Sequence, residues 1–157
     1  MVADADVDAG GVAGEPRLLV QRVYVKDLSF ETPHSPDIFS DIGKLSAEYS
    51  CDAKAHLLED TLYEVVLTIT VTSRRGSRTA YIAEVKQAGA FRLLGFSDEE
   101  AGRVLRCTCP SILFPYGREL ISDLVRRASF PQFNLAHIDF ENWYKRRVET
   151  DEQPETM

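Results

Sequence analysis

The stretch TLYEVVLTITVTS, residues 61–73, constrains the fold more than any other part of the chain. Tyr63, Val65, Leu67, Ile69 and Val71 recur at every second position; Glu64, Thr68, Thr70 and Thr72 share the other parity with Val66. A period of two marks a strand with one face turned to a core. RRGS follows, and Gly76 is free to take the positive φ of a hairpin turn. Residues 78–88, RTAYIAEVKQA, read as the returning strand, with Tyr81, Ala83 and Val85 on one face and Ile82, Glu84 and Lys86 on the other. Gly89 permits a bend, and AFRLLGF, residues 90–96, reads as a short further strand.

Residues 18–31, LLVQRVYVKDLSFE, are rich in Val, Leu, Tyr and Phe and read as another strand. Pro33 and Pro36 end it, since neither can donate to a ladder. Residues 40–58 read as a long irregular passage, a feature often tied to function. Within it Ala47, Tyr49 and Cys51 alternate with Glu48 and Ser50, so part of it is expected to run extended.

Helices follow the strands. Ser97-Asp98-Glu99-Glu100 has the spacing of a capping box, which predicts a helix to about residue 108. CPSILFP is expected to interrupt it, with Pro115 in the first turn of a second helix. Tyr116, Leu120 and Leu124, with Ile121, Val125 and Ala128, keep helical spacing there, and Arg126 and Arg127 suit a helix C-terminus. Asp139 is the expected cap of a last helix, with Phe140, Trp143, Tyr144 and Val148 on one stripe. Strands first and helices after predict an α+β fold: an antiparallel sheet with helices packed on one face.

The net charge of −7 is concentrated at the ends. Of the 25 acidic residues, eight lie in residues 1–16 and 149–157, so residues 17–148 hold 18 basic against 17 acidic side chains. Both terminal segments are expected to be disordered acidic tails around a single domain, 17–148. MVADADVDAGGVAGEP lacks the basic and apolar regions of a secretory signal, and no run approaches the length of a membrane span. A cytoplasmic protein is the expectation.

Few residues point to chemistry. Cys51, Cys107 and Cys109 form neither a disulfide framework nor a complete zinc site. His34, His56 and His137 lack metal-site spacing, and no nucleophile elbow or phosphate loop occurs. Glu64 and Glu84 are possible cross-strand neighbours on a flat face without a cleft. Arg74, Arg75 and Arg78 read as a solvated basic turn, too small for nucleic-acid binding. No cofactor, no metal and no enzymatic activity are expected. The apolar side chains of 111–144 are in surplus, and surplus apolar surface means self-association or a binding site.

QRVYVKDLSFETP, LYEVVLTITVT, AEVKQAGAF, CPSILFPYGRELISDLVRRASFPQFNLA and DFENWY together resemble the SecB family of protein-export chaperones, in order across residues 18–144. The resemblance implies a four-stranded antiparallel sheet with helices on one face and a homotetramer built as a dimer of dimers. It implies a holdase that keeps unfolded precursor proteins competent for translocation and delivers them to the SecA ATPase. Asp27, Glu31, Ile82 and Glu84 match the family's SecA contacts, and Ala83, Val85 and Gln87 match positions that affect assembly. Client contact is expected from Ile38, Phe39, Ala47, Tyr49, Cys51, Phe130, Phe133 and Phe140. The chain departs from the family at Gly43, where a tryptophan is usual, at Tyr49 and Cys51, where aliphatic residues are usual, and in its more basic hairpin and short C-terminal tail. Two other readings stay open: a SecB-like chaperone of a toxin–antitoxin pair, and a small-molecule binding protein.

Overall fold

The computed structural model describes residues 14–152; the remaining parts of both acidic tails lie outside the described residues. Four strands form one antiparallel sheet in the order β1-β4-β3-β2. They are β1 (Arg17–Glu31), β2 (Leu45–Glu59), β3 (Leu62–Arg75) and β4 (Arg78–Leu94). β3 and β4 are central, and the alternation read in the sequence is their burial: Val65, Leu67, Ile69 and Val71 are fully buried with Tyr81, Ala83 and Val85.

The strand count matches, but two strands differ from the sequence reading. The passage expected to be irregular is β2, paired along its length with β3. Most of its inner positions are small, Ala47, Cys51, Ala53 and Ala55 beside Leu45, Tyr49 and Leu57, and its outer ones are polar or charged, so its own β-propensity is weak and pairing to β3 determines its conformation. The expected separate strand at 90–96 is the end of β4, which runs unbroken through Gly89. A Cβ at Gly89 would stand 2.7 Å from the Phe91 ring; the glycine makes room for that ring rather than a bend.

The helical layer begins where expected. Ser97 Oγ accepts from the Glu100 amide at 3.2 Å, and the Glu100 carboxylate accepts from the Ser97 amide at 3.1 Å. The helix does not then stop. α1 (Asp98–Arg103) passes through a π turn (Val104–Thr108) into α2 (Cys109–Arg127), and Pro115 lies inside α2. The π turn precedes Pro110, which has no N–H for the carbonyl four residues back; here Cys109 N–H donates to the Val104 carbonyl, and the Ser111 hydroxyl donates to the Cys107 carbonyl at 2.8 Å. The bond that Pro115 cannot make falls on Ser111, which is exposed and can be served by water.

α2 lies across β3 and β4, burying Leu113, Phe114, Ile121 and Val125 against them. Gly117 is its closest approach: a Cβ there would be 2.7 Å from Ile69 Cδ1 and 3.5 Å from Gln87 Cβ. After α2 the chain is tied down where the Ser122 hydroxyl donates to the Phe133 carbonyl at 3.0 Å. α3 (Phe140–Glu152) is capped as expected, Asp139 Oδ1 accepting from the amides of Glu141 and Asn142 at 3.1 and 3.2 Å. It continues past the boundary drawn at 148, and the side chain of Val148 lies outside those described. Among the described residues, no helix is long and apolar enough to cross a membrane.

Candidate functional site: two faces of one sheet

The helices cover one face of the sheet and leave the other open. The register resolves the open face into rows. One row runs Glu31, Ile82, Thr72, Glu48 across the four strands; the next is Ser29, Glu84, Thr70, Ser50; the third is Asp27, Lys86, Thr68, Asp52. Asp27, Glu31, Ile82 and Glu84, read in the sequence as one partner-binding set, therefore share three adjacent rows on the uncovered face. Glu48 and Asp52 add carboxylates from β2 that the sequence reading does not include, and Asp52 is paired with Arg147 of α3 at 3.0 Å. Lys86 is the one cation in these rows, beside five acids.

Beyond them the face changes character. The following rows run Tyr24, Ala88, Val66, Lys54, then Arg22, Ala90, Glu64, His56, then Leu19, Arg92, Leu62, Glu59. Glu64 is thus three rows from Glu84, roughly 20 Å along the strands, and the two are not neighbours. Its actual partners come from both edges. Only alanines separate it from β1 on β4, so Tyr24 reaches over to donate its hydroxyl to Glu64, and Lys26 Nζ donates at 2.5 Å. His56 Nε2 lies 3.5 Å away on the other side. Lys26 is the extra residue of a β1 bulge between Val25 and Asp27.

Burial by itself would raise the Glu64 pKa; the hydrogen bonds from Lys26 and Tyr24 and the charges of Lys26 and His56 outweigh it and hold it below the usual carboxylate value. Burial and the same carboxylate push Tyr24 up to about 12. A carboxylate with a lowered folded pKa contributes stability above its unfolded pKa and loses it as pH falls through the folded one. Glu64→Gln is therefore expected to be less stable than the parent at pH 7, with the gap closing below about pH 4. Urea midpoints at the two pH values check this; a gap independent of pH would contradict it.

On the covered side, the expected client residues separate into two sets. Ile38, Phe130 and Phe140 are buried in the core, at 0%, 6% and 2% exposure, so within the single chain they offer a client almost no surface. Phe140 packs edge-on to Phe114, and Phe130 lies between Phe39 and Tyr81 at 5.2 and 5.0 Å. Phe39 and Tyr49 are exposed, at 46% and 48%. Ala47 and Phe133 line an open groove of about 460 Å³ with Leu45, Tyr81, Arg75 and Pro131. Cys51 follows Tyr49 on the same inner side of β2, half-buried, and burial pushes its thiol up to about 11, away from thiolate chemistry.

The basic hairpin is not merely solvated. Arg75 Nη1 donates to the carbonyls of Ile38 and Asp41 at 2.7 and 2.6 Å, and Arg78 pairs with Asp41 at 3.3 Å, so the turn fixes the β1–β2 connection at the mouth of the groove. Gly43 stands at that mouth, and a side chain there would meet Arg75 Cγ at 3.3 Å. Ala83, Val85 and Gln87 lie beneath α2 and are buried within the single chain. Gln87 Nε2 donates to the Tyr24 carbonyl at 3.0 Å, beside the β1 bulge. The inner side of β1 is less covered: Val20, Val25 and Leu28 are exposed along that edge strand.

Comparison with known proteins agrees with this architecture. The family described as Preprotein translocase subunit SecB matches residues 12–151. A protein-export protein SecB of Xanthomonas campestris is 41% identical over 154 residues, covering 98% of this chain and 88% of the relative. One from Stenotrophomonas maltophilia is 45% identical over 142 residues, covering 90% and 81%. Among solved structures, a SecB-like chaperone of Mycobacterium tuberculosis bound to an antitoxin peptide superposes with a TM-score of 0.64 at 15% identity, over 78% of this chain and 91% of that one. The chain belongs to the SecB family of protein-export chaperones, which are not enzymes.

Proposed function

We propose that this chain is a cytoplasmic holdase that binds unfolded precursor proteins on the groove side of its sheet and passes them to SecA, which engages the acidic rows of the open side. The observation that carries this reading is the placement of an apolar groove and an acidic face on opposite sides of one rigid sheet. A non-native chain offers extended apolar segments, which fit the groove region of Leu45, Ala47, Tyr81 and Phe133 with Phe39 and Tyr49 close by in sequence. A folded protein hides such segments and is passed over. Each contact is weak, and several grooves in one assembly act together through effective concentration. The assembly is a homotetramer, two dimers packed together, and the exposed edge of β1 with Val20, Val25 and Leu28 is suited to meeting a second copy. Ala83, Val85 and Gln87 would act on assembly through α2, which covers them. The relatives' description as protein-export proteins supports export over service to a toxin–antitoxin pair.

Light scattering of a slowly refolding precursor tests this. The protein is expected to suppress aggregation at stoichiometric concentration without nucleotide. Ala47→Asp with Tyr49→Asp is expected to weaken suppression by about tenfold or more, since a carboxylate buried under a bound apolar segment costs several kcal/mol. Both positions are exposed, so the fold is expected to survive. Unchanged suppression by this variant, at the parent's thermal stability, would move the client site elsewhere.

A further inference from the structure

The groove proposed to take clients carries one charge that its own walls do not answer. Arg75 lines it beside Leu45, Ala47, Tyr81 and Phe133, and no described acidic residue does. Arg75 Nη1 donates to two neutral carbonyls, those of Ile38 and Asp41, which fix the guanidinium without cancelling its charge. Its Nε–H is enclosed and has no acceptor among the described residues. Of the nearby acids, Asp41 is paired with Arg78, and Glu48 faces the open side. Asp37 and Lys44 are both exposed and offset one another, so Arg75 remains the unmatched charge. Gly43 completes the opening: a side chain there would lie 3.3 Å from Arg75 Cγ, and glycine leaves that flank uncovered.

We propose that the groove selects, among extended apolar segments, those that carry an aspartate or glutamate two residues from an apolar side chain. This rests on the groove being the client site. The spacing follows from the register. Leu45 pairs with Arg75, Ala47 with Ser73, and Ser73 in turn with Tyr81. Two residues along a strand span roughly 7 Å. A client lying extended along the start of β2 turns every second side chain into the groove. With its carboxylate at the row of Arg75, the side chain two residues on reaches the apolar floor at Ala47 and Tyr81. The apolar walls lower the local dielectric and strengthen the attraction between carboxylate and guanidinium. A lysine or arginine in the same place would meet a like charge with no acid to receive it. Selection therefore runs against basic segments as much as towards acidic ones.

End-blocked fluorescent peptides are the probe, identical except for Glu, Gln or Lys two residues from a tryptophan in an otherwise neutral apolar sequence. On the full chain at about 0.1 M salt, the Glu peptide is expected to bind about fivefold more tightly than the Gln peptide and the Lys peptide about fivefold less tightly, both differences shrinking by about 0.5 M. Moving the Glu next to the tryptophan is expected to remove most of the gain, since adjacent side chains of an extended chain face opposite ways. Arg75→Gln is expected to bring the ratio of Glu to Gln binding to about one. The ratio is taken within each variant, so a general loss of affinity cancels. Should Arg75→Gln fail to fold, Gly43→Leu covers the arginine while leaving it in place, and is expected to lower the ratio by about half or more. Equal binding of all three peptides by the parent, or a ratio that neither variant changes, would overturn the proposal while the groove stays the client site. Failure of every peptide to compete with an unfolded precursor would instead remove the groove as the client site, and this inference with it.

Discussion

Gly117→Leu is expected to lower the unfolding free energy by about 3 kcal/mol or more, near the upper end for an overpacked core. For a chain of this length that is a fall of roughly 6–12 °C in midpoint temperature, measured at fixed protein concentration. A glycine in mid-helix costs about 1 kcal/mol relative to alanine, so on local grounds this position should favour substitution. Packing reverses the sign. Even a lone Cβ would meet Ile69 Cδ1 at 2.7 Å, and Ile69 is fully buried, with little room to give. Leucine would force α2 away from β3 and β4 along the contact that buries Leu113, Phe114, Ile121 and Val125. Gly102 provides the control. It lies in α1, and a Cβ there meets nothing within 4 Å. Gly102→Ala is expected to stabilise by about 0.5–1 kcal/mol, the propensity gain alone. If both substitutions stabilise, α2 does not approach the sheet as closely as described.

On the proposed homotetramer, Gly117→Leu is expected to affect assembly as well. Ala83, Val85 and Gln87 lie under α2, so they cannot touch a second subunit while the helix stays in place. Substitutions there would reach a subunit interface by tilting α2, and Gly117→Leu would do the same from the other side. A sequence comparison cannot distinguish a residue that forms an interface from one that supports the helix forming it. The difference is visible only in burial.

The same distinction explains what was legible beforehand. The alternation was clear in β3 because large aliphatic residues face the core and threonines face away, and in β4 because Glu84 and Lys86 alternate with Ala83 and Val85. The caps at Ser97 and Asp139 were clear because each depends on side chains within three residues of the helix start. β2 was obscure because most of its inner side is alanine and cysteine, and it is strand only because β3 offers it a ladder. The continuity from α1 to α2 was obscure because two prolines signal a break; a π turn and an exposed serine absorb them. In the candidate groove, aromatic identity alone could not separate wall from floor. Phe39 and Phe130 lie in tilted contact with ring centroids 5.2 Å apart, yet one is exposed and the other buried.

Asp27→Lys with Glu84→Lys is expected to weaken SecA binding by about 100-fold or more at 0.1 M salt while leaving suppression of aggregation intact. The magnitude follows from replacing two attractions by two repulsions, each worth about 1–2 kcal/mol at a partly exposed interface. Most of the loss is expected in the association rate, and raising salt should shrink the difference between parent and variant. Stability should change little. Asp27 is exposed, and the hydrogen bond that Glu84 accepts is a long one of 3.3 Å from the Thr70 hydroxyl. A lysine at 27 would face Lys86 across the ladder, a like-charge cost of a few tenths of a kcal/mol. The separation of the two properties rests on the thickness of the sheet. Asp27, Glu31, Ile82 and Glu84 face away from the helices, whereas Ala47, Tyr81 and Phe133 line the groove on the helix side. A change confined to the open face touches no groove residue, because the inward-facing side chains of the central strands, Val71, Ala83 and Val85 among them, lie on the other side of the sheet, fully buried. Binding of SecA measured by interferometry and scattering of a refolding precursor, on one preparation of the variant, decide the matter: loss of both together would mean that holding and delivery share one surface.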